Sequence, residues 1–435
     1  MRMTENNSFS FFSVNFFKGC VRKSLKSISL RLIFLPLVLA ATVFVAACGG
    51  GGGDSGAAAS SESSTTSPSG SGTSSGASEA SGASSPAPAS TPTDTDTGTT
   101  STGATSPAVP ASDATGASGT PATVIAPAGS IFYGMNGHIN RVGAYQTITP
   151  PQQLAQLKDL NVQLYRNDVS SVADAQKLAS VAQMMAKSGV TVYPVILQQL
   201  TFPDENSAYQ ASYTLAQQIV GVQHYAYYEI TNELAPQCLV GWVDGVRSTE
   251  YRNDCFQIAR GVIRGLIAGV KAADPAGKII IGGNTWMHYG FDVMLANGTQ
   301  PDGTSGHPLV TWDITAWHWY SEQGDITHAC GGTGCYNVIG TLQSFGKPIW
   351  INEVGMRPPP FFSGTLQDAA TYLSNNMLGA LLAIAPQYNI QSLQVYELYD
   401  DPPGGEGAYG VMLYDGKTPK PAYTAVKNFI ATHPR

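Results

Sequence analysis

The sequence predicts an α/β protein whose eight strand-then-helix units close a (β/α)8 TIM barrel, preceded by a polar tether. Three observations predict it. Short apolar, β-rich runs recur from residue 131 to residue 396 and alternate with stretches of helical periodicity, the pattern of a parallel sheet. Two of these runs, Tyr227-Tyr228-Glu229-Ile230-Thr231-Asn232-Glu233 and Pro348-Ile349-Trp350-Ile351-Asn352-Glu353, end abruptly in Asn-Glu. Buried parallel strands read this way, and their carboxyl ends are where such barrels gather functional groups. Finally, residues 122–435 are one domain's worth of chain, somewhat longer than the ~250 residues of a typical barrel, with room for elaborated loops.

The units follow in order. The first strand is placed at Ile131 to Gly137. A helix opening at Pro150-Pro151, with apolar Leu154, Leu157 and Leu160, leads to the second at Val162 to Arg166. The amphipathic segment Ala173 to Lys187 precedes the third, Val190 to Leu197, and Ser212 to Val220 precedes the fourth, Tyr225 to Thr231. A long apolar-periodic stretch from Phe256 to Ala272, closed by Asp274-Pro275, leads to the fifth at Lys278 to Gly282. Asp313 to Trp317 is the sixth and Pro348 to Ile351 the seventh. Ser392 to Tyr396, after helix-like Gln367 to Ile384, is the eighth.

The front of the chain lies outside this fold. Lys18, Arg22, Lys23, Lys26 and Arg31 precede an apolar run from Leu32 to Ala47, a secretory signal pattern too short for a stable membrane span. It ends Val45-Ala46-Ala47-Cys48-Gly49, which resembles the lipobox of bacterial lipoproteins. That resemblance implies a signal peptide over residues 1–47 and acylation of Cys48, hence a membrane-tethered protein of the bacterial envelope. Gly49 after the cysteine, rather than Asp, resembles outer-membrane sorting in Gram-negative cells, which would place the protein at the outer membrane. Residues 48–121 are Gly, Ser, Thr, Ala and Pro with almost no large apolar side chain, a composition expected to stay disordered. Such a linker of about 70 residues spans roughly 45–50 Å root-mean-square.

Net charge is −7, with no Lys/Arg cluster in the globular part, so nucleic acid is not an expected partner. A monomer is expected. Of six cysteines, Cys20 leaves with the signal and Cys48 carries lipid. Cys238, Cys255, Cys330 and Cys335 remain, an even number in an exported chain, which favours disulfides. Three pairings are possible, with the local one, Cys238–Cys255 and Cys330–Cys335, preferred. No histidine spacing supports a zinc site.

Two glutamates brought together from distant strands are the equipment for cleaving a glycosidic bond with retention. An Asn-Glu pair can also cap the following helix, since Asn is a good cap and Glu suits a first turn. Two such pairs, at strands counted as fourth and seventh, favour catalysis by Glu233 and Glu353.

The series Ile230-Thr231-Asn232-Glu233, His318-Trp319-Tyr320 and Trp350-Ile351-Asn352-Glu353-Val354-Gly355, with the tail Tyr409 to Tyr423, resembles the clan of retaining glycoside hydrolases with paired glutamates on strands four and seven. Within it the chain is most similar to family 39 and its polysaccharide-processing relatives, then to family 5. The resemblance implies Glu353 as nucleophile and Glu233 as acid/base. Arg166 and Tyr320 would then serve the nucleophile, Asn232 the sugar 2-hydroxyl, and His318 the same subsite. Arg166 could instead pair with Asp168 or Asp159, and His318 could be a core residue between Trp317 and Trp319. Trp286, with Trp319, Tyr396 or Tyr399, is a candidate sugar platform. Asn136 and His138 are candidates for substrate hydroxyls. The implied mechanism needs no metal or organic cofactor. The leading expectation is a lipid-anchored retaining β-glycosidase acting on a polysaccharide, with exopolysaccharide processing as the expected setting. A non-catalytic polysaccharide-binding lipoprotein and a transglycosylase are the alternatives.

Overall fold

Eight parallel strands close into a barrel in which each strand pairs with its neighbours in chain order and the last pairs with the first. The computed structural model describes residues 132–357, 362–403, 405 and 407–435. The expected signal peptide, lipidation site Cys48 and linker lie outside the described residues. The barrel strands are β1 (Tyr133–Gly137), β2 (Leu164–Val169), β3 (Thr191–Ile196), β4 (Tyr227–Ile230), β5 (Lys278–Thr285), β6 (Ile314–Tyr320), β7 (Ile349–Gly355) and β8 (Ile390–Tyr396). All eight fall where the sequence places them. However, β2, β5, β6 and β7 run on for three or four residues beyond their expected ends, through Asn167–Val169, Gly283–Thr285, His318–Tyr320 and Asn352–Gly355.

Helices form where caps and periodicity direct them. Ser171 accepts the Asp174 amide at the start of Val172–Ala186, and Asp204 accepts that of Ser207 at the start of Glu205–Val220. Prolines open Pro150–Asp159 and Pro421–Thr432, where a missing amide hydrogen costs nothing. Between β4 and β5, the helix Asn253–Ala273 carries Gly261, Gly265 and Gly269 at four-residue spacing. A Cβ at each would come within 2.3, 2.3 and 2.4 Å of the Glu205, Tyr209 and Tyr213 carbonyl oxygens. This glycine stripe therefore lets the two helices touch backbone to backbone. Arg260 clamps the contact with paired bonds of 2.8 and 2.6 Å to Glu205.

Inside the barrel, Leu164, Tyr193, Ile280, Ile314, Ala316 and Trp350 form a separate apolar floor, with Tyr227 packed against it. Two residues further along three of these strands stand Arg166, Glu229 and His318, so alternation puts polar groups in the next layer up. On β7 alternation alone would deliver Asn352. A bulge intervenes, because Trp317 pairs with Ile351 but His318 pairs with Glu353. The extra residue re-aims the strand and sets Glu353 opposite His318.

Candidate active site

Arg166 is the hub of the polar layer. It is buried, and its Nε and Nη2 donate to the two oxygens of Glu229 at 2.6 and 2.8 Å. Nη1 donates to Glu353 Oε1 at 2.6 Å and to Asn136 Oδ1 at 2.8 Å, and Nη2 also donates to Asn232 Oδ1 at 2.7 Å. The partner is thus neither Asp168 nor Asp159. Burial opposes the guanidinium charge, but Glu229 and Glu353 outweigh it and hold the pKa above its ordinary value.

Glu353 has a donor on each oxygen, Arg166 on one and the Tyr320 hydroxyl on the other. His318 is fully buried. Its Nδ1 lies 2.7 Å from Glu233 Oε1 and 3.2 Å from Glu353 Oε2. Burial works against protonation of this imidazole, but Glu353 and then Glu233 prevail and raise its pKa above the ordinary histidine value. The ring fits because Gly283 offers no side chain, a Cβ there lying 2.2 Å from Nε2. Glu233, His318 and Glu353 present oxygen and nitrogen atoms all within 4.8 Å of one another. The side chain of Glu233 is 30% exposed and that of Glu353 5%.

This trio has the residue types of a cation site, yet a guanidinium and a phenol already occupy Glu353. The Arg166 charge also disfavours a second cation there. At the other such grouping, His328 with Cys330 and Cys335, the sulfurs are committed to a disulfide.

Glu233 owes its place to an unusual turn. β4 stops at Ile230, and Thr231 and Glu233 both take left-handed backbone angles, φ 70° and 45°. Glu233 begins the short helix Leu234–Gln237, but its side chain does not cap it. The carboxyl turns to His318 instead.

The other predicted residues are more scattered. Asn136 is buried with its amide nitrogen donated to the Asn352 and Val395 carbonyls at 2.8 and 3.2 Å, so it supports the layer from below. His138 is buried at the end of β1, with Nδ1 2.6 Å from Asp168 and Nε2 3.5 Å from Glu397. Burial would raise the Asp168 pKa, but His138, then Arg141 and Arg166, hold that carboxyl well below the usual range. Trp286 is partly buried and stacks on Trp319, ring centroids 6.2 Å apart at 17°. Tyr396 packs edge-on against Tyr320, His138 and Tyr409, whereas Tyr399 is wholly buried.

Sequence reading missed Glu229, although a carboxylate inside an apolar strand was its own signal, since a buried charge needs a partner. It also missed Trp242, which is 70% exposed on the loop after β4. That loop is pinned by Cys238–Cys255, and the hairpin after β6 by Cys330–Cys335, the local pairing. Asp244 joins the two, accepting from the Thr333 amide and hydroxyl at 2.6 Å each and from the Gly332 amide at 3.2 Å.

No protein-family profile matches the chain, and no curated protein matches it in sequence. Solved structures do resemble it. A family 39 glycoside hydrolase from the gut symbiont Bacteroides cellulosilyticus is 16% identical with a TM-score of 0.46, over 68% of this chain and 62% of that one. The chain thus spans less than two thirds of that protein. The catalytic core of xylanase A is 14% identical with a TM-score of 0.46, over 69% and 98% of the two chains. The β-glucosidase from Thermotoga maritima is 13% identical with a TM-score of 0.50, over 70% and 98%. At these identities the likeness is one of architecture: the chain has the (β/α)8 barrel that this β-glucosidase also has.

Proposed function

We propose that the protein is a retaining β-glycoside hydrolase that cleaves a polysaccharide or oligosaccharide by double displacement. The observation that carries this reading is that the Glu233 and Glu353 carboxylates approach within 4.8 Å of each other at the carboxyl end of the barrel. Retaining enzymes hold their carboxyls about 5–5.5 Å apart, while inverting ones need about 6.5–9.5 Å to admit a water.

The surroundings divide the roles. A donor on each oxygen fixes the aim of the Glu353 carboxyl, which suits a nucleophile. Glu233 is the more open of the two, as a group must be that serves first a leaving oxygen and then a water. In the first step a Glu353 oxygen bonds to the anomeric carbon as the glycosidic C–O bond breaks, and the Glu233 proton passes to the departing oxygen. In the second, Glu233 takes a proton from water, whose oxygen bonds to the anomeric carbon and releases Glu353. Arg166 holds the oxygen of the Asn232 amide, which directs the amide nitrogen away from the guanidinium and suits it to donate to a sugar 2-hydroxyl.

A polymeric substrate is favoured by Trp242, a flat ring exposed on a loop that starts at the acid/base residue and is braced by a disulfide and Asp244. Trp242→Ala should raise KM for a polymer more than for a disaccharide; equal effects would remove this support. The lipobox reading makes the enzyme a lipid-anchored envelope protein. Cys48→Ala should release it from membranes, and continued membrane retention would refute that reading. The catalytic reading is tested with a 2-fluoro β-glycoside and peptide mapping. Label on Glu353 is expected, and label on another residue would overturn the assignment.

A further inference from the structure

We infer that Asn284, oriented by Asp292, is a positioning residue that frees the Glu233 carboxyl for catalysis by capping the Glu233 helix from a neighbouring strand. The inference rests on the acid/base role proposed for Glu233. A residue at a helix N-cap ordinarily turns its side-chain oxygen back to the amides of the first turn. Glu233 holds that position for Leu234–Gln237 and makes no such bond. The amide of Ala235 donates instead to Asn284 Oδ1, on β5, at 3.0 Å. With that donor satisfied from outside, the Glu233 carboxyl is available to His318 and to a substrate.

The orientation of Asn284 is fixed in turn. Its Nδ2 donates to both oxygens of Asp292 at 3.1 and 3.2 Å, and both side chains are buried. The Ala235 amide can only donate, so the Asn284 oxygen faces it and the nitrogen faces Asp292, whose oxygens accept. Burial pushes the Asp292 pKa up to about 7, against the bond from Asn284. The fold therefore keeps an acid where an apolar side chain would be easier to bury. The turn itself needs such bracing. Thr231 and Glu233 are both left-handed, and the neighbouring strands hold it through Thr231 N to Ile196 O (3.1 Å) and Glu233 N to Gly283 O (2.9 Å). Beyond Glu233, the bracing comes from Asn284.

Without Asn284, the Ala235 amide competes with the substrate for the Glu233 carboxyl. The test compares two substrates: a β-linked oligosaccharide that the protein hydrolyses, and the 2,4-dinitrophenyl β-glycoside of its terminal sugar, whose leaving group needs no proton. Asn284→Ala should lower kcat/KM on the oligosaccharide by about 10²-fold, the scale of a misplaced catalytic group, and by less than about threefold on the activated glycoside. The exchanged pair Asn284→Asp/Asp292→Asn keeps an acceptor for Ala235 and a donor–acceptor contact behind it, and should recover most of that loss. Equal losses of Asn284→Ala on both substrates, or an exchanged pair as impaired as Asn284→Asp alone, would overturn the inference. Glu233→Ala on the same two substrates separates the levels. If it shows the split and Asn284→Ala does not, only the positioning role falls. If it shows no split, the acid/base assignment falls and takes this inference with it.

Discussion

Arg166 sits between two carboxylates, and the two are not equivalent for stability. Glu229 is fully buried, binds the guanidinium through both oxygens, and stands on β4 with no exposed edge. Glu353 takes one guanidinium contact, at one of its two oxygens. Glu229→Gln therefore removes the charge partner that makes burial of Arg166 tolerable, whereas Glu353→Gln leaves the bidentate pair intact. Breaking a buried pair from one side costs about 3–5 kcal/mol. With an unfolding entropy of about 2.1 cal/mol/K per residue over roughly 300 residues, Glu229→Gln should lower Tm by about 5–8 °C. Glu353→Gln should move it by less than about 2 °C. Thermal unfolding of the purified variants, beside their activities, checks this. Both should be severely impaired in turnover, but only the first in stability. Equal losses of Tm would refute this division between structural and catalytic carboxylate.

Other outcomes follow from the same coordinates. The raised pKa of His318 means its contribution to stability is complete below its ordinary value of 6.5 and fades as pH rises through the higher folded value. The stability gap between the native protein and His318→Gln should therefore shrink from pH 6 upward in denaturant titrations, and a gap that widens would contradict the assignment. The two disulfides should respond differently to reductant: Cys330–Cys335 is exposed and opens in the folded protein, while Cys238 is buried and its bridge persists until unfolding. Thiol mapping after mild reduction reads the order directly. Closing a separation of 17 residues, Cys238–Cys255 contributes about 3 kcal/mol in the chain-entropy model, so Cys238→Ser/Cys255→Ser should lower Tm by about 5 °C. Gly265→Ala places a methyl group 2.3 Å from the Tyr209 carbonyl and should destabilise by at least about 1–3 kcal/mol despite the better helix propensity of alanine. A stabilised variant would show that the helices do not touch there.

Much of the barrel was legible because a strand buried on both faces is a continuous apolar run, and eight such runs stood between helical segments. Strand ends were less so. The sequence suggests a stop at the first polar residue, but His318, Tyr320 and Glu353 stay in their strands because each polar group finds a partner on a neighbouring strand. Glu233, Glu353, His318 and Tyr320 could be nominated from local motifs, and the fold brings all four together. Glu229 was hidden inside the very run that announced β4. Its partner Arg166 lies 63 residues earlier, a distance that only barrel closure removes. Asn136 and His138 stand at the end of β1, yet strand position does not reveal that the Asn136 amide and His138 Nδ1 are spent on neighbours. The bulge at Asn352 and the cap lent by Asn284 belong to pairs of strands, so no single segment encodes them.

The most direct measurement of the central claim is the anomeric configuration of the first-formed product, followed by proton NMR during cleavage of a β-linked substrate. A carboxylate pair this close predicts β product at the earliest times, with the α anomer growing only as mutarotation proceeds. Initial release of the α anomer would mean that water, not Glu353, attacks the sugar, and the account of the site would be wrong.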